Sequence, residues 1–161
     1  MDAFEILMQG AGIARFVSGS MTKIKSYWLM KSEPDVYSWD DLVAEGEGTW
    51  DGVRNYTARN NMRAMQPGDL TFFYHSNIGV EIVGIAEITA SNIPDPTDNT
   101  GRWSAVKLKP MRKLARPVTL KEIKADPALA DMDLLTKFRL SVSGVKAAEW
   151  DHIVQLSEQP R

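Results

Sequence analysis

The chain has no cysteine, only two histidines, and no apolar run that approaches the length of a membrane span. The first absence excludes disulfides, thiolate metal sites and cysteine nucleophiles. The second leaves His75 and His152 far apart, one at the end of an expected strand and one on the last expected helix, with no metal-ligand spacing between them. No metal and no cofactor is therefore expected. A bilayer needs about 20 consecutive apolar residues, so no membrane partner is expected either. Familiar nucleotide and hydrolase motifs are also missing. Gly79 and Gly84 lack the lysine of a phosphate loop, and Ser141 and Ser143 lack the glycine frame of a nucleophile elbow.

Neither sign of charge dominates, with 19 basic and 21 acidic residues in 161 and a formal net charge of -2. The total gives no general argument for nucleic acid, but the distribution is polarised. Glu33, Asp35, Asp40, Asp41, Glu45, Glu47 and Asp51 form a run without Lys or Arg, whereas Arg102, Lys107, Lys109, Arg112, Lys113 and Arg116 form one without acids. Such a surface can hold a phosphate backbone on one side and repel it on the other. The alternating Lys107 and Lys109 are read as the wet face of a strand.

A 43% hydrophobic content over this length is enough for one domain with a real core. Residues 1–26 differ from the rest, with Phe4, Ile6 and Leu7 followed by Gly10 and Gly12 and no signal-peptide pattern. They are expected to be an extension, with Met21 as an alternative start, or a short helix packed on a domain spanning 27–161. The lack of any address signal points to a cytoplasmic bacterial protein.

The most informative stretch runs from Thr49 to Ser76. Asn55 is a plausible N-cap, and Ala58, Met62 and Met65 make an apolar stripe opposite Asn55, Arg59 and Arg63. Pro67, Gly68 and Asp69 stop this helix. Leu70 to His75 then alternates as a strand, with Leu70, Phe72 and Tyr74 on one face and Thr71, Phe73 and His75 on the other.

Further strands are expected at Tyr27–Lys31, Val80–Ala90 and Arg102–Leu114, with Gly84 marking a bulge or a close backbone approach. Ser38 is expected to cap a helix through Ala44. Ser91–Thr100 reads as a solvated loop. Helical turns are expected at Thr119–Lys124 and Pro127–Met132, an irregular or extended return at Leu134–Val142, and a closing helix at Val145–Leu156. Together these predict an α+β domain around a strongly bent, mostly antiparallel sheet.

Aromatic residues mostly fill cores, and for Phe72 and Tyr74 that is the better reading. Trp50 differs because Asp51, Gly52 and Arg54 surround it at a helix start. A planar ligand such as a nucleobase is held by stacking, with fixed polar groups on its edge. Trp28 and Trp50 can supply faces, and Ser32, Asn55, Asn60, His75 and Ser76 edge contacts. Lys31, Ser32 and Glu33 also supply the residue types of an amide hydrolase: base, nucleophile and proton shuttle. Three successive strand residues are not expected to face one pocket, so the turn reading is preferred.

At these residues the chain resembles the EVE domain family, whose eukaryotic members are the thymocyte nuclear protein group. The likeness is carried by WLMKSEP (28–34), WDGVRNYTARN (50–60), MRAM (62–65), FFYHSN (72–77), IVGIAE (82–87), Trp103–Ser104 and RLSV (139–142). The resemblance implies a PUA-like fold, a curved β-barrel-like sheet with peripheral helices, akin to YTH and ASCH domains. It further implies a nucleic-acid partner, DNA or RNA, whose modified base, above all a modified cytosine, enters a pocket after flipping. Carried over, the pocket draws on Trp28, Lys31, Ser32, Trp50, Val53, Arg54, Asn55, Tyr56, Asn60, Tyr74, His75, Ser76 and Arg139. Trp28 and Trp50 are expected to stack, Ser32 and Asn55 to read the edge, and Arg54, Arg59 and Arg139 to hold phosphate. A binding module is expected, with an ASCH-like amidohydrolase using Lys31, Ser32 and Glu33 as the alternative.

Overall fold

The structure, a computed structural model, describes residues 15–17, 20–22 and 25–160. Two short strands, β1 (Arg15–Val17) and β2 (Ser20–Thr22), pair antiparallel as a separate two-stranded sheet. The alternative of a short helix in residues 1–26 otherwise falls outside the described residues.

Six strands form the main sheet: β3 (Tyr27–Ser32), β4 (Gly48–Trp50), β5 (Leu70–His75), β6 (Glu81–Pro94), β7 (Ser104–Thr119) and β8 (Val142–Val145). Their order is β4-β7-β6-β5-β3-β8. All neighbours are antiparallel except β3 and β5, which run parallel with Tyr27 opposite Leu70 and Ser32 opposite His75. Helices α1 (Trp39–Glu45), α2 (Tyr56–Ala64), α3 (Leu120–Ala125), α4 (Asp133–Thr136) and α5 (Ala147–Ser157) lie around it. Among the described residues no helix is long and apolar enough to cross a membrane.

The strand β5 divides the core. Phe73 joins Met30, Trp39, Trp50, Met62 and Leu108 on one face, while Phe72 and Tyr74 join Leu29, Ile82, Val118, Trp150 and Ile153 on the other. Burial on both faces explains why the strand is a continuous apolar and aromatic run. The first helices start where side chains can replace missing backbone partners. Ser38 Oγ accepts from Asp41 N at 3.0 Å while Asp41 Oδ2 accepts from Ser38 N at 2.9 Å, a reciprocal cap. Asn55 Oδ1 accepts from Ala58 N at 2.9 Å, as the spacing predicts.

Gly84 combines both expected roles. The pairing register shifts beside it on both neighbouring strands, and a Cβ there would lie 2.6 Å from the Trp39 ring.

Several boundaries differ from the sequence reading. β6 continues to Pro94 and β7 to Thr119, because four register shifts interrupt the alternation without ending the pairing. Gly48–Trp50, where the sequence reading places no strand, is an edge strand on β7. The return at Leu134–Val142 contains the short helix α4, and Val145, assigned to the closing helix, ends β8 instead.

Candidate functional site

A cavity of about 460 Å³ opens where the end of β3, the approach to α1, β4 and the start of α2 converge. β3 supplies Lys31 and Ser32, and Glu33 follows at the turn. The next segment supplies Val36 and Tyr37. β4 and its continuation supply Thr49 to Asn55, and Ser141 borders the far side.

Strand alternation sets the central ring. Gly48 and Trp50 point inward and Thr49 outward, so Trp50 is only 8% exposed yet lies on the cavity wall. Tyr37 stands against it edge-on, with ring centroids 6.3 Å apart at 89°, and Phe73 backs it at 5.5 Å and 80°. Among the described residues no aromatic ring lies parallel to Trp50. The Tyr37 hydroxyl donates to Glu45, and burial followed by that carboxylate pushes its pKa well above the usual range. Ser32 Oγ donates to the Tyr37 carbonyl at 2.5 Å, which ties β3 to this wall.

The turn after Trp50 is fixed from behind by Asp95. Gly52 takes φ +76°, the left-handed region that favours glycine, and its N–H donates to Asp95 Oδ2 at 2.8 Å. The fully buried Asp95 side chain also accepts from Arg54 Nη1 at 3.0 Å and from Thr97 N and Oγ1. Burial raises the Asp95 pKa, but the bonds from Thr97, Gly52 and Arg54 outweigh it and hold the carboxyl below its ordinary value. Within the 91–100 segment residues 91–94 continue β6 and most side chains are exposed, as its composition predicts, but Asp95 is buried. The segment's polarity serves a buried anchor for the cavity rim.

Seven of the expected residues line the cavity: Lys31, Ser32, Glu33, Trp50, Val53, Arg54 and Asn55. The expectation that Lys31, Ser32 and Glu33 cannot share one pocket is overturned, because the strand ends at Ser32 and the chain turns there. Their groups nevertheless point to separate partners. Lys31 Nζ donates to the Phe138 carbonyl at 2.6 Å, with burial lowering its pKa, and Glu33 Oε1 accepts from Asn77 Nδ2 at 2.7 Å.

The other expected residues lie elsewhere. Trp28 donates from Nε1 to Asp69 Oδ2 at 3.0 Å and lines a different depression with Lys25 and Gly144. Tyr74 is buried on the opposite core face, and its pKa is pushed up to about 12 by burial. His75 Nε2 accepts from Trp39 N at 3.1 Å, and Ser76 N donates to the Ser32 carbonyl, so both support the site from outside. Asn60 accepts from Arg59.

Tyr56 is 57% exposed and stacks on Trp103 at 4.9 Å and 26°. Arg59 lies 4.8 Å from the Tyr56 ring and donates to the Arg102 carbonyl, so its guanidinium is turned onto the protein's own loop. Arg139 is exposed beside Phe138, on the segment leading to Ser141. Sequence reasoning missed Tyr37, Thr49, Asp51, Ser141 and the anchor Asp95. Asp51 sits within the WDGVRNY string, which was the available signal. Among the described residues no group of three or more acids or histidines is placed to hold a metal ion.

The model of the EVE domain matches residues 26–156. Rpa0253 from Rhodopseudomonas palustris has 50% identity and a TM-score of 0.79, over 83% of this chain and 93% of that one. Thymocyte nuclear protein 1 of Homo sapiens is 34% identical, over 86% of this chain and 77% of that protein. A crystal structure of human THYN1 in complex with 5-methylcytosine-containing DNA superposes with a TM-score of 0.79, over 85% of this chain and all of that chain. The YTH domain of Zygosaccharomyces rouxii MRB1 has 13% identity and a TM-score of 0.53 over 92% of this chain and 97% of that one, a likeness of fold alone that fits the PUA-like architecture. By this match over most of its length, the chain belongs to the EVE domain family.

Proposed function

We propose that this protein binds nucleic acid and recognises a modified base, most specifically a modified cytosine in DNA, held flipped out of the stack in the Trp50 cavity. The observation that carries the reading is an indole on a cavity wall with no parallel aromatic partner among the described residues, surrounded by polar side chains. The human relative bound to 5-methylcytosine DNA supports the ligand class.

Energetically, extrusion of a base costs a few kcal/mol, and stacking returns about 1–3 kcal/mol. Hydrogen bonds to the base edge supply the remainder. A buried methyl adds about 0.8 kcal/mol, so a methyl mark yields roughly fourfold preference. Phosphate contacts in this reading come from Arg54 at the rim and Arg139 on the neighbouring segment.

Titration of tryptophan fluorescence with short oligonucleotides carrying cytosine, 5-methylcytosine or 5-hydroxymethylcytosine, at two salt concentrations, tests this. Quenching that depends on the modification and persists in salt is expected. Binding that ignores the modification and disappears with salt is phosphate attraction alone and overturns the reading.

A hydrolytic reading draws on the meeting of Lys31, Ser32 and Glu33 at one cavity. Against it, Ser32 gives its proton to the Tyr37 carbonyl and no Lys31–Ser32 bond is formed. Release of free acid from an N4-acylated cytidine, lost in Lys31→Ala, would promote it. No turnover at high protein concentration would dismiss it.

A further inference from the structure

The hydrogen-bonding groups left over on the cavity wall form a pattern with a definite sense. Ser32 Oγ and the Tyr37 hydroxyl donate to protein acceptors, and Arg54 is bound to Asp95 and Thr97. Glu33 accepts from Asn77. Asn55 spends its carbonyl on the helix cap, which leaves both protons of its Nδ2. Lys31 spends one donor on the Phe138 carbonyl and keeps two.

Asp51 is different in kind. Asp51 lines the cavity, and among the described residues its carboxylate accepts from its own backbone N–H and from no other residue. Partial burial and the neighbouring Asp95 charge raise its pKa against the opposing pull of its own backbone N–H and the Arg54 charge, which makes the carboxylate a stronger acceptor. The uncommitted wall thus offers one anionic acceptor, from Asp51, and neutral or cationic donors, from Asn55 and Lys31.

Pyrimidines differ in just this respect. Cytosine presents an amino donor at C4 with acceptors at N3 and O2, whereas thymine presents a C4 carbonyl acceptor and an N3–H donor. A carboxylate satisfies the cytosine amino group. Against the thymine carbonyl it would place two acceptors face to face, so that neither is satisfied by the other.

We propose that Asp51 is a specificity-determining residue that selects cytosine-type bases over thymine and uracil by accepting from the exocyclic amino group, while Asn55 and Lys31 donate to the acceptor edge. This rests on the modified-cytosine reading above and adds the residue that makes the choice of ring.

The test compares 5-methylcytosine with thymine, which carry the same methyl group, so stacking and the methyl niche stay constant. Each base is placed opposite an abasic site in otherwise identical DNA duplexes, so neither is paired and extrusion costs alike. Unmodified cytosine is the third probe. Wild-type protein is expected to prefer 5-methylcytosine over thymine by roughly tenfold or more. Asp51→Asn, whose amide can offer N–H to thymine, is expected to bring that ratio within about threefold. Removing a negative charge strengthens all DNA binding together, so only the ratio is read. Asp51 is exposed, so an unchanged thermal midpoint is expected for the variant.

An Asp51→Asn protein that keeps the wild-type ratio overturns the proposal. So does a wild type that prefers 5-methylcytosine over cytosine yet binds thymine equally well, and base recognition then survives without it. A wild type indifferent to all three bases removes base recognition itself.

Discussion

Two tryptophans, Trp50 and Trp150, are buried almost equally, at 8% and 5% exposure, and each packs on a phenylalanine of β5. Their surroundings differ. Trp150 lies parallel to Phe72 at 3.8 Å and 15° and near-parallel to Tyr27 at 4.5 Å and 24°. Trp50 meets Phe73 and Tyr37 only edge-on. Burial alone therefore does not separate core from site in this fold. What separates these two rings is whether stacking inside the protein has already been used.

The comparison breaks most visibly at Trp150. Truncation to Ala should cost about 3–5 kcal/mol, because the hole it leaves cannot collapse around Phe72 and Tyr27. Urea unfolding checks this, and the fraction still folded should keep its base preference. Trp50→Leu is the sharper counterpart, since leucine keeps apolar contact with Phe73 but removes the stacking plane. Binding of a modified oligonucleotide should weaken by about 10- to 100-fold, the equivalent of one base–aromatic stack. Its unfolding midpoint should fall less than that of Trp150→Ala. Equal losses of stability with no loss of binding would mean that both rings are structural.

The alternation in β5 and the caps at Ser38 and Asn55 were legible because each depends on residues near in sequence, whereas the close approach at Gly84 was legible only because a glycine inside a strand marks such a site, its partner Trp39 being distant in sequence. The ends of β6 and β7 were not, since bulges break the period-two signal that marks a strand. Trp28 illustrates a second limit. It shares a string with Lys31 and Ser32, but four residues of extended chain place it about 13 Å from Ser32.

Asp95 shows a third. A polar loop and a buried polar anchor have the same composition, and the partners of Asp95, Gly52 and Arg54, are 43 and 41 residues away. Tyr37 reaches the cavity for the same nonlocal reason. Local pattern fixes elements, while contacts between distant segments assemble the wall.

The smallest effect expected on the Trp50 side is a response to acid through His75. This ring lies 5.6 Å from Phe73, and its Nε2 must be unprotonated to accept from Trp39 N, at the start of the helix that follows Tyr37. Burial lowers the His75 pKa and Lys113 adds to the effect, while Glu81 and Asp40 act in the opposite direction. A histidine with a depressed folded-state pKa contributes stability in full above its unfolded value of about 6.5. That contribution disappears as pH falls through the folded value, because the unfolded chain takes up the proton first.

Urea midpoints measured from about pH 8 to pH 5 should therefore decline below about 6.5. In His75→Gln, whose side-chain oxygen can still accept from Trp39 N, this part of the decline should vanish. Hydrogen exchange should place the loosening at α1 and the Trp50 wall and leave the amides around Trp150 protected. An acid response of equal size in His75→Gln would assign it to groups other than His75. The two faces of the sheet would then differ in stacking but not, through this histidine, in their sensitivity to acid.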